Sequence, residues 1–490
     1  MTADRVPVGA TRAAVRAGGL NTVLVQVLST AVTIVLARLL TPEEFGLVAA
    51  AQTIIAGAAL ITTLGLAGAL VRERELSPTT VDTVFWASGA LGSVVAVSLF
   101  VGSGVLAGLV GQPSAAVLVQ ILAPAVVLQL LAAVPRALLQ RDMRLPTAYR
   151  VELAAMVAYA AVQIVLASAG LGARSVAIGQ LAMAACMLIL MLRAARYVPG
   201  PRWSTAVLKA NARFSTGVLG YGATQYVAKN IDYALISRSL GATALGQYYV
   251  AFVLPNILRQ RISSLVTDVS WPVMTRAQDD PGKLIELHLR NIRLTFFLGL
   301  PAMTGLACLA PEVLLTFFGD QWTEAGVSLS ILALTAAFEL TVVPTSVVFL
   351  VTGRPGAAAW LQLLRCALIA GTMTAVLLMP GTPSLAELSA AVALGIVLSG
   401  VAAHASIIHR LRMRPTAVGL ALLPPVLPAS VMAVGVLGLR PIVDDLNVPL
   451  TLLSLTVVGA LLFLSTAWFL PSRSALLELA RIALPQRWVQ

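Results

Sequence analysis

Five polar residues crowd into one long apolar run: Tyr226, Lys229, Asn230, Asp232 and Tyr233. Tyr226, then Lys229 or Asn230, then Tyr233 follow the i, i+3/i+4, i+7 spacing that lines side chains along one face of a helix. An ammonium, a carboxamide and two phenols on one face can hold an anion and hydrogen-bond to hydroxyl groups. A Lys229–Asp232 pair at i, i+3, tying two helices together, is the competing reading. Other apolar runs are interrupted by Asn21 and Gln26, by Gln52, by Arg150, Glu152 and Gln163, by Arg259, Arg261 and Asp268, by Glu339, and by Gln362 and Arg365. Arg259 and Arg261 stand in mid-run after Pro255. Glu339, within Ala-Phe-Glu-Leu-Thr, is the best candidate for a protonatable carboxylate, with Asp232 a second; an interhelical hydrogen bond explains Glu339 equally well. Arg150 and Glu152 lie near the end of their run, where long side chains reach out to water.

The solvent around these runs gives such residues weight. Of 490 residues 58% are hydrophobic and only 11% charged, and mean hydropathy is +0.90. Soluble chains carry about 25% charged residues, so a soluble enzyme or binding domain is excluded. Fourteen apolar stretches fall near 18–40, 46–70, 83–110, 115–139, 147–170, 173–194, 214–239, 245–272, 292–318, 325–351, 356–379, 385–408, 416–439 and 447–470. Most are long enough to cross a bilayer with some tilt. The fold class expected is an all-α polytopic membrane protein of about fourteen spans. A charge at the bilayer centre costs at least ~2.5–3.5 kcal/mol, so charged groups inside spans face protein or a wet cavity.

Loop charge tests the count. Alternate loops on the N-terminal side hold 24 Lys and Arg, and the opposite loops hold only Arg38, Arg174, Arg238 and Arg440. That asymmetry places both termini in the cytoplasm, and it accounts for the net charge of +12 without nucleic acid. Arg5, Arg12 and Arg16 before the first run read as an uncleaved signal anchor. Cys186, Cys308 and Cys366 sit in apolar runs with no metal-binding spacing, and His288, His404 and His409 are not spaced as ligands. No nucleotide-binding, zinc-protease or serine-hydrolase motif is present in the sequence. No cofactor is expected.

The chain also repeats weakly at an offset of 200: Arg38-Leu39-Leu40 leads to Gly46, and Arg238-Ser239-Leu240 to Gly246. Six spans per half would make the halves parallel repeats about an axis along the membrane normal. The expected division is an N-terminal lobe at 1–195, a cytoplasmic linker at 196–213, a C-terminal lobe at 214–410, two further spans at 411–471, and an interfacial amphipathic helix at 472–490.

Several stretches carry a resemblance. They are Arg38-Leu39-Leu40-Thr41-Pro42-Glu43-Glu44-Phe45-Gly46-Leu47, Gly65–Arg72, Phe85-Trp86, Asn230–Gly241, Leu245-Gly246-Gln247-Tyr248-Tyr249, Pro272-Val273, Leu309-Ala310-Pro311-Glu312 and Phe318–Trp322. Over roughly residues 15–350 the chain resembles polysaccharide transporters and O-antigen flippases; its last four spans match in hydropathy only. The resemblance implies membership of the multidrug/oligosaccharidyl-lipid/polysaccharide flippase superfamily, with two six-helix lobes around a central cavity, two extra helices and alternating access. It implies a polyprenyl-diphosphate-linked oligosaccharide as substrate, moved to the outer leaflet of a bacterial plasma membrane by a monomer, beside a polysaccharide polymerase or glycosyltransferases. On that reading Lys229, Arg259, Arg261 and Arg365 meet the diphosphate, while Asn21, Gln26, Gln52, Tyr226, Asn230 and Tyr233 meet the glycan. Glu339 and Asp232 are the candidates for coupling to protons or sodium. A drug exporter of the same superfamily would need an acidic cavity, whereas these spans carry more Lys and Arg. A membrane polymerase or ligase would need acid/base groups on a sizeable outer loop, and the outer loops are short. A structural scaffold leaves the buried charges unexplained.

Overall fold

The computed structural model describes the backbone of residues 8–62, 70, 76–443 and 447–469, without the side chains of 8–20, 22, 59–62, 209–225, 228, 268 and 269. The interfacial helix expected at 472–490 and most of the 65–72 motif lie outside these residues. The described residues form helices: α1 Val8–Leu39, α2 Pro42–Thr62, α3 Pro78–Leu109, α4 Ala116–Arg141, α5 Leu145–Ser168, α6 Ala173–Ala195, α7 Thr205–Arg276, α8 Pro281–Cys308, α9 Ala310–Val313, α10 Ala325–Val351, α11 Pro355–Leu377, α12 Leu385–Leu411, α13 Pro415–Leu422, α14 Val426–Val443 and α15 Val448–Phe469. Among them, nine segments are long and apolar enough to cross a membrane, or ten if one bent pair counts as a span. The chain is a polytopic membrane protein.

Its turns are written in the sequence. At the start of α2, Thr41 N donates to Glu44 Oε2 at 2.9 Å and Glu44 N to Thr41 Oγ1 at 3.3 Å, a capping box with Pro42 at the first helical position. Ser77 and Asp280 cap α3 and α8, each followed by proline, and Ser384 with Glu387 forms a second capping box on α12.

Two elements differ from the sequence expectation. The loop expected between 239 and 245 is a single-residue break: α7 runs from 205 to 276 and departs from helical geometry only at Gly241, with φ 86° and ψ −173°. Only glycine takes that conformation readily. The stretch expected as one span at 292–318 is bent by 76° between α8 and Ala310–Phe318. Pro311 opens the second piece, and a proline there removes a helical donor and ends the preceding ladder.

The chain divides into two compact units, Met1–Gly246 and Gln247–Gln490. In the first, α3 packs on α4, α4 on α6 and α6 on α5, with α1 against α5. In the second, α8 packs on α10, α10 on α12 and α12 on α11, while α13 and α14 lie against α8 and α15 pairs with α14. The packing order α3–α4–α6–α5 thus recurs as α8–α10–α12–α11. Within the first unit the 200-residue repeat also makes a contact with itself. A Cβ on Gly46 would collide with the carbonyl oxygen of Ala242, and one on Gly246 with that of Pro42.

The polar segment after α6 is tied to the start of α3. Asp82 accepts from Tyr197 Oη at 2.8 Å and Gly200 N at 3.2 Å, and Trp86 Nε1 donates to the Gly200 carbonyl at 2.8 Å. Burial, then the neighbouring Asp82 carboxylate, pushes the Tyr197 phenol up from its ordinary pKa.

Candidate functional site

In the second unit, three residues singled out separately in the sequence come together. Glu339 projects from α10, Arg365 from α11 and Arg259 from the second arm of α7. Arg365 Nη1 donates to Glu339 Oε1, and Arg259 Nε lies 3.4 Å from Glu339 Oε2. Arg259 also donates through Nη2 to Asn256 Oδ1 at 2.7 Å. The carboxylate is 12% exposed and the two guanidinium side chains 22% and 24%. In an apolar span one carboxylate balances one guanidinium, so the cluster keeps a net charge of +1. Thr335, Ser346, Gln362 and Ser399 line two small cavities beside it, of about 10 and 40 Å³. About one water fits in 10–15 Å³, so the carboxylate and the two guanidinium groups meet with room for only a few waters beside them. Arg261 lines neither cavity; two residues on from Arg259, it points to a different side of the helix.

A much larger cavity, about 470 Å³, opens in the same unit. Its walls are almost wholly apolar, with Pro301 and Leu309 from α8 and beyond, Met432 and Val436 from α14, and Leu455 and Phe463 from α15. Leu258 lines this groove, and its neighbour Arg259 lines the cavity at Glu339. One helix therefore separates an apolar groove from a cationic cluster. Spacing in the sequence carries no sign of the groove, because its lining comes from four separate runs.

In the first unit, the polar strip on α7 is only partly engaged. Tyr226 Oη donates to the Thr53 carbonyl at 2.7 Å, beside the half-buried Gln52. Asn230 Nδ2 donates to the Tyr226 carbonyl at 2.9 Å. Asp232 is buried and Tyr233 half-buried. Lys229 is exposed, and among the described residues nothing pairs with its ammonium, Asp232 included. Asn21 lies elsewhere: its Nδ2 reaches Glu152 Oε2 at 3.4 Å, and Glu152 Oε1 pairs with Arg136 at 2.8 Å. Gln26 Nε2 reaches Thr30 Oγ1 at 3.5 Å. A second ion pair that the sequence reading missed joins Glu312 to Arg440 at 2.7 Å. Its partners stand on helices α9 and α14, 128 residues apart, which no local spacing links.

Residues 35–327 match a protein family described as polysaccharide biosynthesis protein. A succinoglycan biosynthesis transport protein, ExoT of Rhizobium meliloti (strain 1021), is 33% identical over 341 residues, 69% of either chain. The lipopolysaccharide biosynthesis protein WzxC of Escherichia coli (strain K12) is 26% identical over 292 residues, 59% of either chain. In fold, the chain is similar to the lipid II flippase MurJ in its inward closed conformation, with a TM-score of 0.74 at 12% identity. That likeness covers 92% of this chain and 98% of the other.

Proposed function

The chain belongs to the polysaccharide biosynthesis protein family, and from that premise we propose that it is a flippase for a polyprenyl-diphosphate-linked oligosaccharide. The observation that carries the reading is the arrangement on α7, where Leu258 faces the apolar groove and Arg259 the cationic cluster. A lipid-linked glycan is built the same way, with a long apolar chain joined to a diphosphate. The prenyl chain would lie in the groove between α8, α14 and α15. The diphosphate would displace Glu339 and take the guanidinium groups of Arg259 and Arg365, which suit phosphate as bidentate donors. Glu339 then acts as an internal counter-ion that keeps two arginines stable in an apolar surround until substrate arrives. Lys229, exposed and unpaired among the described residues of the first unit, is a further cation that this proposal assigns to the anionic substrate. The half-buried amides and phenols, Gln52, Tyr226, Asn230 and Tyr233, would meet sugar hydroxyls.

The finer layout belongs to the same proposal: fourteen spans, six in each of two lobes and two more, with both termini cytoplasmic and transport by alternating access. Recurrence of the α3–α4–α6–α5 packing order in the second unit supports the repeat. Naming of the relative ExoT as a transport protein favours this reading over a polymerase or ligase.

The test is where the substrate accumulates. Cells lacking the gene should hold complete lipid-linked units on the cytoplasmic leaflet, and the wild-type gene, but not Lys229→Ala or Arg259→Ala, should clear them. Complete but unpolymerised units on the outer leaflet would instead show an enzyme.

A further inference from the structure

Two histidines that the transport reading leaves unused are buried against the same helix of the second unit. His288 on α8 is fully buried and His404 on α12 is 8% exposed. Both pack on α10 around Pro344. The carbonyl of Pro344 lies alongside His288; Thr341 Oγ1 and His404 Nε2 are 2.9 Å apart, and Phe338 meets the His404 ring edge-on at 6.2 Å. Thr345, one turn beyond Thr341 on the same face, is fully buried. Four atoms of this group make no hydrogen bond of normal geometry: both ring nitrogens of His288, Nδ1 of His404 and Oγ1 of Thr345. A buried polar atom without a partner costs about 1–3 kcal/mol, and an apolar side chain of similar volume would avoid that cost. Retaining two imidazoles here needs a reason beyond packing.

Chemistry narrows the ligand. Imidazole nitrogens and hydroxyls make a poor site for an alkali cation, which favours several oxygens. Among the described residues no group of three His, Cys, Asp or Glu is placed to hold a metal ion. A proton is what two imidazoles take up readily near neutral pH.

Among the described side chains, which do not include that of Asp268 on α7, no charged group on the surrounding elements faces the pair. Glu339, the sole charged residue of α10, is engaged by Arg259 and Arg365. On α8, Lys283, Glu286 and Arg290 are exposed and Arg293 is half-buried five residues on, well round the helix. His409 and Arg410 of α12 and Arg276 of α7 are exposed, Glu387 caps the far end of α12, and Arg440 of α14 is held by Glu312. Segments α13 and α15 carry no charge.

We propose that His288 and His404 form one buried proton-binding site whose occupation selects a different packing of α10 around Pro344. The packing described here suits two neutral rings, because an imidazolium in this pocket would have no counter-charge among the described side chains. A proton therefore binds the arrangement in which the pocket has opened to water, and by linkage acid populates that arrangement. Proton binding at α10 would also act five residues from Glu339, on the helix that carries the substrate's counter-ion.

The chain has only three histidines, and His409 is exposed, so the wild-type protein contains its own reference. Full-length protein with 13Cε1-labelled histidine, in lipid nanodiscs, would be titrated from pH 8 to pH 5 by NMR, with His409→Gln and His404→Gln assigning the signals. The exposed His409 supplies the reference signal. The other two signals should leave their buried, neutral positions together in one reversible step, with helical circular dichroism unchanged through it. Buried signals that stay put to pH 5, that shift at two independent midpoints, or that shift only as helix is lost would each overturn the proposal. The wild-type titration decides the matter even if His404→Gln does not fold. No substrate is needed, so the outcome is separate from that of the flippase reading.

Discussion

Replacing Glu339 by glutamine keeps the side-chain volume and removes the one negative charge shared by Arg259 and Arg365. The two guanidinium groups are about three-quarters buried, and Arg259 Nε stands 3.4 Å from the carboxylate. At an effective dielectric constant of 20, Coulomb attraction at that separation is about 5 kcal/mol, an upper bound before desolvation is counted. Removing one partner of a buried pair costs about 3–5 kcal/mol, because the remaining charge is stranded. Glutamine returns part of this through its carbonyl, but its amide group would set N–H donors against guanidinium donors. We expect a loss of roughly 3 kcal/mol. With about 2–4 °C per kcal/mol for a unit of this size, a detergent melt of Glu339→Gln should fall by roughly 6–12 °C. Adding undecaprenyl diphosphate should recover more stability in the variant than in wild type, since the anion replaces the missing charge. Arg365→Met placed on Glu339→Gln should also restore part of the loss. A variant that melts within about 1 °C of wild type would refute the reasoning, for it would mean that water already solvates the two arginines and the carboxylate is not their counter-ion.

Lys229→Ala removes an exposed cation without a described partner, so stability should change by less than about 0.5 kcal/mol while clearance of lipid-linked units in cells is lost; a matching fall in melting temperature would assign the lysine a structural role. Tyr226→Phe deletes the hydrogen bond to the Thr53 carbonyl and should lower stability by about 0.5–1.5 kcal/mol, read by the same melt. Gly246→Val should prevent accumulation of folded protein, because even a Cβ would lie 2.8 Å from the carbonyl carbon of Pro42; size-exclusion profiles of the two proteins give the answer. Asp82→Asn should bring the Tyr197 phenol part of the way back toward its ordinary range, since one of its two causes is removed, and ultraviolet titration of the tyrosines would follow it.

Much of this molecule is legible in its sequence because a membrane simplifies the grammar. The apolar runs and their caps, such as Thr41-Pro42-Glu43-Glu44, mark where helices begin, and the polar residues inside runs mark where to look for function. Glu339, Arg259 and Arg365 could each be named for that reason. Their meeting could not, because the three stand on helices separated by up to a hundred residues and nothing local pairs them. The break at Gly241 was read as a loop because the sequence shows only that a helix must be interrupted, whereas one residue with positive φ suffices. The apolar groove left no trace at all: its walls are ordinary spans, and only their mutual spacing makes a cavity. Asn21 illustrates the opposite case, a polar residue in a span whose side chain reaches the carboxylate of Glu152.

The reciprocal glycine contact in the first unit has the symmetry of a homodimer. Residue 46 meets 242 while 246 meets 42, the pattern of an isologous interface about a two-fold axis, here made by a single polypeptide with its own duplicate. It is the contact that a chain of half the length would make with a second copy of itself. The same two stretches of backbone touch at both glycines, so a side chain added at either position would part the same pair of segments.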